Sequence, residues 1–476
     1  MLVTQAFRFE LDPSNRVRSG LASHVGAARY AYNWGLDHVE RCLDARRGLA
    51  PVAIRQGASL AEAEAWAAAL VGSVPWTLPA LPREWNQAKA VVAPWSAENS
   101  KEAHNSGLDA LARAFKGFFD SRSGTRRGRR VGWPTFKTRG RARRSFRVTT
   151  GSFGVVDGRH VRLPRVGVIR TKETTTSLLA QIDTAGARVL SVTVSEQAGR
   201  WFASFTTQVE RQASSRAGSG PVGVDVGVKH LAVVSTGEMV ANPKHLSRCA
   251  RRQARMQAQL SRRRGPANAP RASKRWQATK ARLARTHRRA ANARADGLHK
   301  LTTRLARTHT VIVVEDLNVA GMTAAAPGRR RPKAGLNRAV LDVAPGELRR
   351  QLDYKTAWYG SALVVADRWY PSSKTCSRCK TVKAKLSVAE RVFCCDHCGL
   401  VIDRDLNAAI NLACLVETIN TGTASGAGTS RDAIPANAQG EEKSMATARC
   451  SPVNCEDSSS PALGQTATAA EQSTAA

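Results

Sequence analysis

The segment GVDVGVKHLAVVS, residues 223–235, decides how the second half of this chain folds. Its apolar residues predict a buried strand, then a carboxylate flanked by glycines, then a second strand. Asp225 lies between Gly223 and Gly227, where a backbone without side chains leaves room for a ligand to approach. Because open α/β sheets bind ligands at the ends of their strands, the segment predicts a functional carboxylate at a sheet edge.

Two further acidic positions lie at the ends of other predicted elements. Residues 311–314 are apolar on both faces, as in the central strand of a covered sheet, and Glu315 follows them directly. The segment DRDLNAAINL, residues 403–412, predicts the start of a helix. Since residues two apart on a helix face different directions, we expect Asp405 to point towards the site and Asp403 to cap the helix or lie outside the site.

The three acids together predict a site for two Mg²⁺ ions, although for each acid alone an ordinary structural role, such as a helix cap, is the favoured explanation. Phosphodiester hydrolysis by two ions about 3.5–4 Å apart needs oxygen ligands from several elements. With Asp225 as the bridge, one ion would orient the attacking water and the other would stabilise the leaving 3′ oxygen. An Asp, a Glu and an Asp on two strands and a helix are typical of an RNase H-like (RuvC) core. We therefore predict a metal-dependent nuclease with these catalytic, Mg²⁺-binding residues: Asp225, Glu315 and Asp405.

Four cysteines have the spacing of a zinc ribbon. They form two CxxC pairs separated by 15 residues: Cys376, Cys379, Cys395 and Cys398. Two such pairs close a tetrahedral site with no open position, so we predict one structural zinc ion in a ribbon at residues 371–400. Cys394 and His397 lie beside the second pair and are alternative ligands, but neither has the two-residue offset.

The charge of the 476-residue chain is strongly positive, with 73 Lys and Arg against 37 Asp and Glu and a formal net charge of +36. This charge predicts nucleic acid as the partner. A membrane surface is the weaker alternative, because only 5% of the residues are aromatic and no stretch approaches the roughly 18 apolar residues of a spanning helix. Residues 1–12 lack the features of a secretion signal, so we expect a cytoplasmic, nucleoid-associated protein of a bacterium or archaeon.

Basic residues concentrate in three segments. Residues 122–147 contain eleven Lys or Arg and no acid, with interleaved glycines and aromatics, which is typical of a surface that follows a nucleic-acid backbone and stacks on its bases. Residues 244–309 contain twenty Lys or Arg and one acid, which predicts a basic helical insert beside the three acids. Residues 329–333 add a basic Pro/Gly-rich loop, and a solvated surface is the alternative for each segment. The predicted nucleic-acid contacts are Arg126, Arg127, Arg129, Arg130, Trp133, Lys137, Arg251, Arg252, Arg262, Arg263, Arg264, Arg329, Arg330 and Arg331.

The expected fold class is multi-domain α/β plus β. Strand and helix patterns predict a small β barrel with a helical insertion, a linker, an α/β core that contains the basic insert and the ribbon, and a disordered tail. The predicted bounds are 1–14 and 123–212 for the barrel, 15–122 for the helical unit, 213–220 for the linker, 221–415 for the core and 416–476 for the tail.

The chain resembles the TnpB (OrfB) family of insertion-sequence proteins, which is similar to the compact ancestors of type V CRISPR effectors. Residues 216–415 carry its motifs in the family's order: GVDVGVKHLAVVS, VVEDLNVAGM, CSRC with CDHCG, and DRDLNAAINL. The first half is similar more loosely, through the first strand and helix and the stretch WPTFKTR at residues 133–139. The chain departs from the family's usual pattern at residues 46–105 and in its tail.

The resemblance implies an RNA-guided DNA endonuclease, with a guide RNA from the transposon end and a DNA target beside a short flanking motif. It implies that Asp225, Glu315 and Asp405 are the metal-binding catalytic acids, and that the helical unit and the barrel grip the guide duplex and the flanking motif. Two other interpretations stay open: a transposase that acts on DNA without a guide, and a nuclease-inactive, RNA-guided DNA-binding repressor. The presence of all three acids argues against the repressor.

Overall fold

The computed structural model describes residues 2–126, 128–210, 218–265, 272–324, 330–387 and 389–421. The chain divides into two compact units, Met1–Gln212 and Ala213–Ala476, each with its own hydrophobic core. Within the described ranges, no helix combines the length and the apolar character that crossing a membrane requires. Residues 213–217 of the predicted linker and residues 422–476 of the predicted tail lie outside the described residues.

Four helices form the helical part of the first unit: α1 (Asn15–Arg55), α2 (Leu60–Val71), α3 (Ala80–Val92) and α4 (Lys101–Arg122), with a 3₁₀ turn at Pro94–Glu98. The hydroxyls of Ser14, Ser59 and Ser100 accept hydrogen bonds from the first turns of α1, α2 and α4, which is why these helices begin where they do. Helices α1 and α4 approach closely at Gly107, where a Cβ atom would lie 2.0 Å from the carbonyl oxygen of Ala28.

Antiparallel strands form two sheets in the first unit. The strands are β1 (Leu2–Leu11), β2 (Ser145–Val148), β3 (Gly154–Asp157), β4 (His160–Leu163), β5 (Gly167–Arg170), β6 (Arg188–Gln197) and β7 (Arg200–Glu210), with helix α5 (Thr176–Ala185) between β5 and β6. The larger sheet has the order β1–β7–β6–β2 and the smaller the order β3–β4–β5.

The predicted β barrel is wrong, because the described strands form two open sheets, and β1 and β2 are the edges of the larger one. The sheets share one core, in which Phe146 and Phe205 of the larger sheet lie in the same cluster as Val161 and Ile169 of the smaller. Alternating apolar residues predict one buried face for each strand, and that pattern is the same for a barrel as for two sheets around one core.

A mixed sheet of five strands is the centre of the second unit. Its strands are β8 (Ser219–Asp225), β9 (His230–Val234), β10 (Met239–Ala241), β11 (His309–Glu315) and β12 (Ala362–Ala366). The order is β10–β9–β8–β11–β12. Strands β8, β11 and β12 run parallel to one another, whereas β9 pairs antiparallel with both of its neighbours.

Helices cover both faces of this sheet. They are α6 (His245–Arg262), α7 (Lys274–Thr308), α8 (Val319–Thr323), α9 (Arg330–Val343), α10 (Pro345–Tyr359) and α11 (Arg404–Thr421), and a small hairpin of β13 (Val392–Cys394) and β14 (Val401–Asp403) precedes α11. Leu301 of α7 and Leu352 of α10 share a core with Val224 on one face. On the other face Leu412 of α11 packs with Val313.

Three segments of the second unit differ from expectation. Leu298 and Leu305 of α7 are buried against the sheet, so the second half of the predicted basic insert is part of the hydrophobic core, which its charge pattern did not predict. Helix α9 begins at Arg330, where a loop was expected, and α11 continues to Thr421, past the predicted start of the tail. In α9 the apolar positions are separated by basic and small residues, and in residues 416–421 by polar ones, which weakened the periodic signal.

Gly223 in β8 determines how closely α11 approaches the sheet. A Cβ atom at this position would lie 1.9 Å from the carbonyl oxygen of Ala409 and 2.6 Å from the backbone nitrogen of Ala413. Both neighbours are backbone atoms of α11, so only a shift of the whole helix could make room.

We expect Gly223→Ala to lower the free energy of unfolding by about 1–3 kcal/mol or more, because α11 must move away from β8. Gly220→Ala is the matched control, since Gly220 lies on the same strand in open space. Urea unfolding followed by circular dichroism measures both variants, and equal midpoints for the two would contradict the close helix–strand contact.

Candidate active site and zinc site

Asp225 and Glu315 end two neighbouring parallel strands. Val224 of β8 is the register partner of Val314 of β11, so the two acids that follow them lie at the same edge of the sheet. Side chains alternate along a strand, which puts Asp225 on the face of Gly223 and Glu315 on the face of Val313. That face is the one covered by α11.

Helix α11 brings the third acid to the same edge. Asp405, Ala409 and Leu412 are spaced by four and three residues and therefore share one face of the helix. Ala409 lies against Gly223, and Leu412 packs with Val313, so this face is turned towards the sheet. Asp405, in the first turn of α11, thus lies at the end of the sheet where the two strands end. We call Asp225, Glu315 and Asp405 the acid cluster.

The acid cluster is an electrostatically unfavourable arrangement on its own. Burial, together with the negative charges of Glu315 and Asp405, raises the pKa of Asp225 to about 7, against an opposing effect of Arg404. The guanidinium of Arg404 lies 3.3 Å from Oδ1 of Asp405. A bound cation would relieve this repulsion.

The acid cluster is more widely spaced than a single-ion site. In the described part of the chain, the only group of three or more His, Cys, Asp or Glu whose ligand atoms all lie within 4.8 Å of one another is the cysteine set. The carboxylates of the acid cluster do not meet this spacing.

Asp403 caps α11, as expected. Its Oδ1 accepts hydrogen bonds from the backbone nitrogens of Asp405 at 2.9 Å and of Leu406 at 3.3 Å. Its Oδ2 lies 3.8 Å from Nζ of Lys229. The carboxylate is thus used to fix the start of the helix that carries Asp405.

Ser372 contacts the acid cluster and was missed by the sequence reasoning. Its buried hydroxyl donates a hydrogen bond to Oε1 of Glu315. The side-chain amide of Asn411 in turn donates to the carbonyl oxygen of Ser372 at 2.9 Å. Ser372 lies in a short polar stretch with no periodicity, so the sequence carried no signal for this contact.

Two buried asparagines connect α11 with the cysteine loop. Asn407 and Asn411 donate hydrogen bonds to the carbonyl oxygen of Thr375 at 2.7 Å and 2.6 Å, and Asn407 also accepts one from the backbone nitrogen of Ser377 at 2.9 Å. Both side chains are fully buried. Their spacing of four residues among apolar neighbours is the signal that could have identified them as a buried polar link.

Four cysteine thiols form one compact cluster that can hold a zinc ion. The ligand atoms of Cys376, Cys379, Cys395 and Cys398 all lie within 4.8 Å of one another. Both CxxC turns have the same backbone pattern: Lys380 N donates to Cys376 O at 2.9 Å, and Gly399 N donates to Cys395 O at 3.0 Å. The alternatives Cys394 and His397 are exposed and lie outside the cluster.

One of the four thiols, that of Cys379, has a lowered pKa. Hydrogen bonds with the side chain and backbone of Thr381 and with the neighbouring thiols lower the pKa of Cys379 to about 5, whereas desolvation and the neighbouring thiols raise the pKa of Cys398. Thiolates are the form that binds metal, so Cys379 supplies a thiolate at neutral pH, while Cys398 must lose its proton when a metal binds.

The predicted aromatic and lysine contacts of WPTFKTR have partners within the protein. The indole nitrogen of Trp133 donates to Glu40 at 3.1 Å, and Nζ of Lys137 lies 3.6 Å from the centre of the Tyr32 ring. Burial lowers the pKa of Lys137 to about 8. Phe136, 50% exposed, is the aromatic side chain of this stretch that faces solvent.

Most of the predicted arginine contacts are exposed. Arg263 is partly buried and donates to the carbonyl oxygen of Arg275 at 2.9 Å. Arg127, Arg329 and the side chains of Arg330 and Arg331 lie outside the described residues. The exposed positions are Arg126, Arg129, Arg130, Arg251, Arg252, Arg262 and Arg264.

Comparison with known proteins gives matches along most of the chain. A family model described as "Probable transposase" (OrfB of IS605) matches residues 204–326, a Cas12f1-like TNB domain matches residues 346–412, and a helix-turn-helix domain matches residues 1–46. A Mycobacterium tuberculosis protein, named as a candidate RNA-guided DNA endonuclease, is 38% identical over 464 residues that cover 93% of this chain and 94% of the relative. The chain belongs to the TnpB/OrfB family of insertion-sequence proteins.

Two further members of the TnpB/OrfB family carry the same name. One from Streptomyces pristinaespiralis is 33% identical over 86% of this chain and 89% of its own length. InsQ of Escherichia coli is 29% identical over 86% of this chain and 91% of its own length. The residues matched by the helix-turn-helix model form β1 and the first part of α1 in this structure.

The zinc site can be tested at two adjacent cysteines. We expect Cys395→Ser to lose bound zinc and to lower the unfolding temperature, since a tetrahedral site needs all four thiolates. Cys394→Ser, at the exposed neighbour, is the control and should keep one zinc per chain. Elemental analysis of the purified proteins measures the zinc content, and a Cys395→Ser protein with full zinc would show that the ion is held elsewhere.

The repulsion in the acid cluster predicts that Asp225→Asn stabilises the metal-free protein. Burial raises the pKa of Asp225 in the folded protein to about 7, so the folded state binds a proton more tightly than the unfolded state does. The stabilisation from this proton is fully present in acid and is lost as pH rises from about 4 to about 7. In EDTA the variant should therefore gain stability over the wild type as pH rises from about 4 to about 7, by on the order of 4 kcal/mol.

Asp316→Asn is the control of opposite sign. Hydrogen bonds from Arg368 and Arg349 lower the pKa of Asp316, so its charge stabilises the fold above acid pH and its removal should not increase stability. Thermal unfolding at several pH values measures both variants. A gain for Asp225→Asn that does not change with pH would contradict the charge-repulsion explanation.

Proposed function

We propose that this chain is an RNA-guided DNA endonuclease and that the acid cluster is its hydrolytic centre. The observation that carries the proposal is the meeting of three acids from distant parts of the sequence at one sheet edge, where burial and the charges of Glu315 and Asp405 raise the pKa of Asp225. Groups held in such an unfavourable state are typical of functional sites, because a purely structural acid would be paired or exposed.

The topology of the second unit supports an RNase H-like (RuvC) core. Its sheet begins with an antiparallel meander, β8–β9–β10, and then adds two parallel strands, β11 and β12, next to β8. Crossover helices connect the parallel strands, and α11 lies on the opposite face. In this topology the three acids lie at the end of the first strand, at the end of the fourth strand and in the first turn of the last helix.

The donor set of the acid cluster fits Mg²⁺, which prefers carboxylate oxygens. Asp225, Glu315 and Asp405 would hold two Mg²⁺ ions, which supply an activated water and stabilise the leaving oxygen of a phosphodiester when bound. The negative charges that raise the pKa of Asp225 favour the binding of such cations. The four-cysteine cluster would hold one zinc ion with a structural role.

Protein groups around the acid cluster fix the position of its members. The Ser372 hydroxyl holds one oxygen of Glu315, and Asp403 and Arg404 hold the first turn of α11 and with it Asp405. Preorganisation of this kind keeps ligands in place before substrate arrives. An accidental grouping of acids would not need such contacts, so these contacts support a catalytic role.

The net charge of +36 and the names of the relatives support nucleic-acid partners. We propose that a guide RNA and a DNA target both bind this chain, with the exposed arginines as backbone contacts. A transposase that joins DNA without a guide is the second candidate, which the "Probable transposase" description of the matching model favours. RNA dependence separates the two.

Cleavage by matched variants tests the acid cluster. Asp405→Asn should lower the rate of Mg²⁺-dependent DNA cleavage by on the order of 1000-fold, because the substitution removes a metal ligand. Asp403→Asn keeps a side-chain oxygen that can cap α11 and should cleave within several-fold of the wild type. Equal loss in the two variants would assign both residues to structure and remove the basis for the acid cluster.

Co-purified RNA tests the guided reaction. The protein is expressed with its native flanking sequences, bound RNA is sequenced, and cleavage of matching and non-matching DNA is measured before and after ribonuclease treatment. We expect a discrete RNA and cleavage that needs both the RNA and a matching target. Undiminished cutting or strand joining after RNA removal would favour the guide-free transposase.

A further inference from the structure

Trp369 is an exposed tryptophan beside the acid cluster. The side chain is 84% exposed, although burial of an indole is among the largest apolar gains that a folded chain can make. It lies in the loop that follows β12, and the last residue of that strand, Ala366, is the register partner of Glu315. Trp369 is therefore presented at the same edge of the sheet as the acids.

The loop that carries Trp369 is held in place on both sides. The backbone nitrogen of Trp369 donates to Oδ1 of Asp367 at 2.8 Å, and Arg368 pairs with Asp316 at 2.5 Å. The next residue, Tyr370, turns inward and its hydroxyl donates to the carbonyl oxygen of Asn411 on α11 at 3.3 Å. The contacts on both sides fix the backbone of the loop, and this fixed backbone directs the indole into solvent.

An open groove of about 460 Å³ lies beside the indole. It is lined by Asp316, Arg349, Ala366, Asp367, Arg368 and Trp369. Its two arginines and two aspartates balance in charge, and both arginines pair with Asp316. A polar groove without net charge, next to a flat aromatic surface, fits a neutral base with hydrogen-bonding edges better than it fits a phosphate.

We propose that Trp369 is a stacking platform for an unpaired DNA base, which holds the single strand next to the acid cluster. The inference rests on the proposed nuclease function and adds a binding site for the strand to be cut. Stacking on an aromatic ring accepts every base, so the site would add affinity without sequence preference. A nuclease directed by a guide needs such tolerance, because the sequence of the strand changes with the guide.

Binding of single-stranded DNA, measured without divalent metal, tests the platform. The probe is a short oligonucleotide with 2-aminopurine, whose fluorescence falls on stacking, and the protein is the complete guide-loaded complex. Trp369→Ala should weaken binding by about 10-fold and restore the fluorescence at one position of the strand, whereas Trp369→Phe should keep most of both. Met239→Ala, at an apolar residue of β10 that is 42% exposed at the opposite edge of the same sheet, is the control and should change neither.

An abasic nucleotide provides the decisive comparison. At the stacking position, the abasic nucleotide should weaken DNA binding by the wild type about as much as Trp369→Ala does. It should have little further effect on DNA binding by Trp369→Ala. The proposal would be overturned if the abasic nucleotide, at every position tested, weakened DNA binding equally in the wild type and in Trp369→Ala. Cleavage that persists in Mg²⁺ in that case would leave the nuclease function intact, whereas absence of cleavage by the wild type would contradict the proposed function itself.

Discussion

The close contact between β8 and α11 is the constraint on which the site of the second unit depends. Gly223 lets the backbone of α11 occupy the space that a side chain on β8 would fill. A Cβ atom at this position would lie 1.9 Å from the carbonyl oxygen of Ala409. Two residues further along β8 is Asp225, and one turn earlier on α11 is Asp405. A helix displaced by even one side-chain thickness would separate these two carboxylates, whatever their chemistry.

A chain of buried polar contacts connects the cysteine cluster with the acid cluster. Thr375, which precedes the first cysteine, receives hydrogen bonds from Asn407 and Asn411, and Asn411 also binds Ser372, whose hydroxyl contacts Glu315. Buried amides of this kind are costly unless every group is satisfied, so the loop and the helix fix each other. The ribbon thereby contributes to the position of the acids without sharing their chemistry.

The sequence was informative where local pattern and chemistry coincide. An apolar run that ends in an acid identifies Glu315 at a strand end, and the CxxC spacing identifies the cysteine cluster. Closure of the sheets in the first unit was not predictable, because alternation has the same period in open and closed sheets. The role of Ser372 was not predictable either, since its partner Glu315 is 57 residues away and only the fold brings them together.

The central claim is that folding gathers the acid cluster into one site for a pair of divalent ions. Crystals of the protein grown with Mn²⁺ and measured near the manganese absorption edge test it most directly. We expect two anomalous peaks about 3.5–4 Å apart, in contact with carboxylate oxygens of Asp225, Glu315 and Asp405. Manganese bound elsewhere in the crystal while this sheet edge stays empty, or held by only one of the three acids, would contradict the account.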